Sequence, residues 1–190
     1  LAKPSQYIHS MTPSSLFPTS AQDVSSINAL CIGSGRFLRS VLVPALLHCQ
    51  LRPIILQTRG RTFMDYVSNR SSSSQQSSFT LTYEVDTVHY DGKIQTDSIP
   101  FYGAGTLGTD EGKQDLINLI TKMNFLSFIG VGVTEAGLSS ADSKTMQDLA
   151  DILEGCYLSQ IPCNNPNGKI CVVCTDNIPN SGDLLLSYMV

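Results

Sequence analysis

The stretch from Ile27 to Arg39 constrains the fold more than any other part of this chain. A short apolar run, Ile27-Asn-Ala-Leu-Cys-Ile32, ends in Gly33-Ser34-Gly35, and apolar residues at helical spacing follow (Leu38, Val41, Leu42, Ala45). The pattern predicts a buried strand, a tight turn and a helix. Glycine lets such a turn bend sharply and bring its backbone close to a ligand, while the N–H groups and dipole at the helix start favour negative charge. Taken alone, the two glycines fit a phosphate site and an ordinary strand-to-helix turn equally well. Leu38 stands where a phosphate-binding turn of this kind usually has a third small residue.

The rest of the chain repeats the rhythm. Arg52-Pro53-Ile-Ile-Leu56 reads as a second buried strand, and Pro44 is expected to end or kink the helical stretch before it. Phe79, Leu81, Tyr83 and Val85 alternate with polar residues, Asp91-Gly92 supplies a turn, and Lys93–Ile99 returns, which predicts a β-hairpin. Leu116, Leu119, Ile120 and Met123 mark a helix face, Phe125–Val133 a buried strand, and Met146, Leu149, Ala150 and Leu153 a further helix. Ile170–Cys174 is the last strand. Strands alternating with helices predict an α/β fold, a Rossmann-type doubly wound and mainly parallel sheet, with the hairpin inserted at its edge. In such sheets ligands bind beyond the carboxyl ends of the strands. The polar motifs Gly33–Arg39, Gln57–Arg61, Thr134–Gly137 and Asp176–Gly182 all follow strand ends.

Composition sets the outer bounds. A chain of 190 residues with 42% hydrophobic and 15% charged residues suits one globular domain. A net charge of −4 gives no electrostatic case for nucleic acid or an anionic membrane. No apolar run approaches the roughly 20 residues of a membrane span. Residues 1–24, with Pro4, Pro13, Pro18 and many Ser and Thr, read as a disordered lead-in to a domain over 25–190. The first residue is Leu1 rather than Met, as in a processed, trimmed or partial chain. The Ser-rich, acid-poor lead-in also fits part of an organelle transit peptide, although Lys3 is its one basic residue. The expected compartment is the cytoplasm, with an organelle as the alternative. Ser68–Ser78 reads as a low-complexity loop, and its Asn69-Arg70-Ser71 sequon has meaning only in a secreted protein.

The six cysteines read as buried, reduced core residues. Cys171 and Cys174 are three apart in an extended strand, so their thiols point to opposite faces and cannot easily share a metal. No metal site is expected. The second strand runs into Gln57-Thr58-Arg59-Gly60-Arg61, where a dinucleotide fold usually places an acid for the ribose 2′-hydroxyl. Gln57 stands there instead, with Arg59 and Arg61 alongside. That pattern suits a 2′-phosphate, and it equally suits a solvated basic loop.

Three segments together carry a resemblance. Gly33-x-Gly35-x-Phe37-Leu38-Arg39, Val133-Thr134-Glu135-Ala136-Gly137 and Cys174-Thr175-Asp176-Asn177-Ile178-Pro179-Asn180-Ser181-Gly182 occur in the order found in the polyol-specific long-chain dehydrogenases. The chain resembles the N-terminal domain of that family, which includes mannitol dehydrogenases and the fructuronate and tagaturonate reductases, over about residues 25–186. The resemblance implies an NAD- or NADP-binding domain acting with a sugar alcohol or sugar acid, without metal. It implies that Gly33, Ser34, Gly35, Phe37 and Arg39 line the cofactor pyrophosphate, with Arg36 among them; Gln57 and Arg59 are the cofactor candidates that their place after the second strand supplies. Asp176 would help bind cofactor or fix its turn. Asn177 would sit beside the nicotinamide and donate to the reacting oxygen, and Glu135 would exchange protons with solvent at the rim. Asn177 as a plain turn residue and Glu135 as a solvated loop acid remain the alternatives.

Oxidising an alcohol also needs a group that takes up the hydroxyl proton. The family supplies it from a helical C-terminal domain bearing Lys-x-x-x-x-Asn-x-x-His, and His9, His48 and His89 lie in no such setting. The resemblance therefore implies that this chain binds cofactor while the catalytic base lies in a helical domain it lacks. A non-catalytic dinucleotide-binding or interaction domain is the competing class.

Overall fold

A computed structural model of the chain describes residues 13–71, 79–132, 140–160, 169–175 and 179–189. Strand β1 (Ser15–Leu16) and helix α1 (Ala21–Ser26) precede β2 (Ala29–Ile32). A π-helical turn (Leu38–Leu42) runs into α2 (Val43–His48), followed by β3 (Pro53–Gln57) and α3 (Thr62–Ser71). The hairpin strands β4 (Leu81–Val88) and β5 (Ile94–Phe101) come next, then β6 (Ala104–Thr106) and α4 (Asp110–Ile120). The described chain closes with β7 (Phe128–Val131), α5 (Lys144–Leu158), β8 (Cys171–Cys174) and α6 (Ser181–Met189).

The fold is mixed α/β. Six strands form one sheet in the order β1-β6-β3-β2-β7-β8, and all neighbours are parallel except β1 against β6. From β2 the chain moves outward through β3 to β6, then crosses back to place β7 on the other side of β2. The strand direction of growth therefore reverses between β2 and β7.

Alternation along the central strands assigns each side chain to one of two cores. Leu30, Ile32, Ile54, Leu56, Ile129 and Val131 pack on one face beneath α1, α4, α5 and α6. Ala29, Cys31 and Ile55 face the opposite core with Leu38, Leu46, Met64 and the base of the hairpin. A sheet buried on both faces explains why these strands read as unbroken apolar runs. Helices start where the sequence supplies caps: Thr109 accepts from the N–H of Gly112, and Ser143 from that of Met146.

The hairpin forms in the expected register, with Leu81 opposite Phe101 and Val88 opposite Ile94. Gly92 takes φ +80° in its turn. Tyr83 is fully buried, and its ring lies 6.1 Å from Phe63 and 5.5 Å from Phe101. Burial raises the Tyr83 phenol above its ordinary range, so it stays protonated and donates to the carbonyl of Arg39.

Several expectations need correction. Residues 13–24 are not a free lead-in: β1 pairs with β6, Ser20 caps α1, and Val24 is buried in the core. Residues 1–12 lie outside the described residues. The low-complexity stretch begins as helix, because Phe63, Met64 and Val67 anchor α3 and carry Ser68–Ser71 with them; residues 72–78 are outside the description. Burial raises the Cys31 thiol to about 12 and Cys156 to about 11, but Cys49 and Cys171 are exposed. Cys171 loses its cover because β8 is the last strand in the sheet. No helix among the described residues is long and apolar enough to cross a membrane.

Among the described residues, one acid in an ion pair is fully buried. Asp148 on α5 has a fully enclosed carboxylate, 2.8 Å from Lys113 on α4 and 3.5 Å from Lys144 one turn back. The close contact with Asp148, then the hydrogen bond to Asp151, raises the Lys113 pKa. A raised lysine contributes stability fully below its unfolded value and loses it as pH climbs through the folded one, so this pair holds at neutral pH and fails only above about 10.4. Lys113→Met leaves Asp148 buried with one weaker partner, and should cost about 2–3 kcal/mol. In a chain this long the melting temperature then falls by roughly 5–10 °C. Adding Asp148→Leu should recover most of the loss in a thermal melt; no recovery would show that the pair is not the cause.

Candidate functional site

The turn after β2 is a tightly specified piece of backbone. Gly33 adopts φ +109°, and a Cβ there would lie 2.2 Å from the carbonyl oxygen of Gly132, just past β7. Only glycine fits this position. At Gly35 a Cβ would meet nothing nearer than the same oxygen at 3.8 Å. The first glycine is thus demanded by the fold, and the second leaves open space beside the helix start.

The Arg39 N–H donates to the Gly35 carbonyl at 3.1 Å, so helical bonding begins at the second glycine. As at any helix start, the N–H groups of the first turn have no partner within the helix. Pro44 neither ends this helix nor leaves a carbonyl stranded. It has no N–H, and the ladder ahead of it widens to a π-turn in which Val43 donates to the Leu38 carbonyl.

Leu38 is buried, and the small residues it requires are on the neighbouring strand. A Cβ on Gly132 would lie 2.6 Å from Leu38 Cδ1, and one on Gly130 would lie 2.5 Å from Leu42 Cδ2. The close packing of helix on sheet that a third glycine usually permits is achieved here by inverting the two partners. A large residue on the helix enters a glycine groove on β7.

Beside this turn, beyond the ends of β2 and β3, lies a cavity of about 420 Å³. It is lined by Ser34 and Arg39 from the glycine turn and its helix, Gln57, Thr62, Phe63 and Tyr66 from the β3–α3 segment, and Glu84 and Asp86 of β4. The Arg39 guanidinium lies 5.3 Å from the Phe63 ring centre and 5.9 Å from that of Tyr83. Its Nε is buried and has no hydrogen-bond partner among the described residues. A buried donor left unpaired costs about 1–3 kcal/mol.

The expected site residues divide clearly. Ser34, Arg39 and Gln57 line one cavity, and Gly33 and Gly35 border it. Arg36 and Phe37 stand exposed at the helix start, with Phe37 showing 56% of its surface. Gln57 is buried and committed at both ends: Oε1 accepts from the Met64 N–H at 3.1 Å, and Nε2 donates to the Arg59 carbonyl at 2.7 Å. It holds the β3–α3 turn in shape. Arg59 is exposed and outside the cavity wall. Arg61 is drawn the other way, donating to the Pro13 carbonyl at 3.0 Å and lying 3.5 Å from Asp65. Of the two readings of this loop, Arg61 follows the solvated one. Glu135, Asp176 and Asn177 lie outside the described residues. Because β7 and β8 run parallel to β2, Gly132 and Thr175, just past their ends, lie at the same edge of the sheet as the glycine turn.

Phe63, Tyr66, Glu84 and Asp86 are wall residues that no motif announces. The alternation of β4 carries the one available signal, since Leu81, Tyr83 and Val85 turn inward and leave Glu84 and Asp86 on the other side. Among the described residues no cluster of His, Cys, Asp and Glu could hold a metal ion. No protein-family model matches the chain, and no curated protein matches it closely enough to assign a relative.

Proposed function

We propose that this chain is the Rossmann-type, NAD- or NADP-binding domain of an oxidoreductase that transfers hydride between a nicotinamide cofactor and a sugar alcohol or sugar acid. One observation carries the dinucleotide part. The Gly33–Gly35 turn sits at the point where strand order reverses, between β2 and β7, which is where ligands enter open α/β sheets. Taken from β6 through β3, β2 and β7 to β8, the parallel strands follow the 3-2-1-4-5 order of a dinucleotide fold.

The residues present fit such a cofactor. Gly35 leaves room for a pyrophosphate, the first helical turn offers N–H donors, and Arg39 has a buried donor to spare. Ser34 borders the same space. The cofactor, when bound, supplies hydride acceptance and donation; the protein supplies orientation and charge. The polyol or uronate assignment rests on the resemblance of the three strand-end segments, with Asn177 hydrogen-bonded to the reacting oxygen, Glu135 exchanging protons at the rim and Asp176 steadying the turn between them. The second reading, a dinucleotide-binding or interaction domain without catalysis, shares the first half of this account.

Calorimetric titration of the chain with NAD, NADP and ADP-ribose separates them from an ordinary strand-to-helix turn. Saturable binding of at least one dinucleotide, retained by ADP-ribose and lost on Arg39→Ala with the melting curve intact, is the expected result. No binding by any of the three would remove the dinucleotide assignment. Oxidation of mannitol, mannonate or altronate by a form of the protein that includes a helical partner domain would favour the enzyme over the binding module.

A further inference from the structure

We propose that the hairpin, rather than the end of β3, selects the cofactor, with Glu84 and Asp86 favouring a free ribose 2′-hydroxyl and so NAD over NADP. This rests on the dinucleotide reading of the cavity beside the glycine turn.

The usual selecting acid is missing from the end of β3, and its replacement, Gln57, spends both polar atoms on the β3–α3 turn. The arginines that would welcome a 2′-phosphate are not in the cavity wall: Arg59 is exposed and Arg61 is held by Pro13 and Asp65. Lining the same cavity as Ser34 and Arg39 are two carboxylates on the same side of β4, two residues apart. Glu84 Oε1 takes a bond from Arg70 at 2.9 Å, and Asp86 Oδ1 takes one from Thr96 at 2.7 Å. Each carboxylate has a second oxygen, and carboxylate oxygens accept from hydroxyls and repel phosphate. The β3 end has thus lost its selecting acid while the inserted strand brings two to the same cavity. The hairpin is held in this position by its buried base, where Tyr83 bonds the Arg39 carbonyl and packs on Phe63.

Both carboxylates are partly open to solvent, so the expected discrimination is about tenfold rather than a thousandfold. Titrations of the chain with NAD and NADP, followed by protein fluorescence, should give NAD the tighter binding by about that factor. Glu84→Gln and Asp86→Asn should each reduce the ratio, and the double variant should abolish or reverse it, chiefly by tightening NADP. Raising salt from 50 to 500 mM should narrow the wild-type ratio and leave that of the double variant nearly unmoved, because like-charge repulsion is screened. The isosteric changes keep the hairpin backbone, and circular dichroism melts check that they do. An NADP preference in the wild type, or a ratio unmoved by the double variant, overturns the proposal while leaving the dinucleotide reading intact. Absence of binding by either cofactor overturns both.

Discussion

Gly33→Val should yield no folded protein, whereas Gly35→Val should fold and bind no dinucleotide. The two positions look alike in the motif and differ completely in their surroundings. A side chain at residue 33 would sit 2.2 Å from the Gly132 carbonyl and would also have to adopt φ +109°. Backbone cannot yield there without separating β2 from β7, the pair at the centre of the sheet. At residue 35 the nearest protein atom is 3.8 Å away, so the protein tolerates a Cβ while a pyrophosphate approaching the helix start does not. Soluble yield and circular dichroism report the first effect, and dinucleotide titration the second. A folded Gly33→Val protein would contradict the packing described for the turn, and unchanged affinity in Gly35→Val would remove the turn from the binding site.

The second large effect concerns the inverted packing of Leu38 against Gly132. Leu38→Ala empties a fully buried site and should cost about 2–5 kcal/mol. Gly132→Ala pushes a methyl group within 3.0 Å of Leu38 Cβ and closer still to its Cδ1, and should cost about 1–3 kcal/mol as overpacking. If the two residues share one space, the double variant should lose clearly less than the sum of the single losses, because each change relieves the other. Urea melts of the four proteins measure the coupling. Simple additivity would mean that helix and strand accommodate the changes independently.

Much of the fold could be read from residues with strong local signals. Unbroken apolar runs marked β2, β3 and β7, Asp91-Gly92 marked the hairpin turn, and the cap residues Thr109 and Ser143 stand ahead of two well-patterned helices. What escaped was either too short or too polar to show a period. Two residues at Ser15–Leu16 and three at Ala104–Thr106 cannot display alternation, and they become strands because β6 pairs along the edge of β3 and β1 along the edge of β6. Helix α3 was hidden by the serines that begin in its second half, although Phe63, Met64 and Val67 anchor it in the core. In the site, Ser34, Arg39 and Gln57, all placed by sequence at strand ends, line one cavity. Local sequence said nothing of what Gln57 would bond, since its partners at Met64 and Arg59 depend on the turn it closes. Glu84 and Asp86 arrive through tertiary packing of the hairpin, which no nearby motif encodes.

The pairing of β2 with β7 also has a consequence in time. Ala29 meets Phe128, about a hundred positions away, and β3, the hairpin, β6 and α4 all lie in the intervening loop. Contacts of that span are entropically expensive to close before nearer ones have shortened the path. The hairpin and the β2–β3 pair are therefore placed to form early, and the union with β7 to complete the sheet late. Gly33 reaches its final conformation only against Gly132, so a refolding chain acquires its glycine turn at the end of the process. Partly folded chains, however much hairpin and helix they contain, would escape rescue by a ligand that recognises that turn.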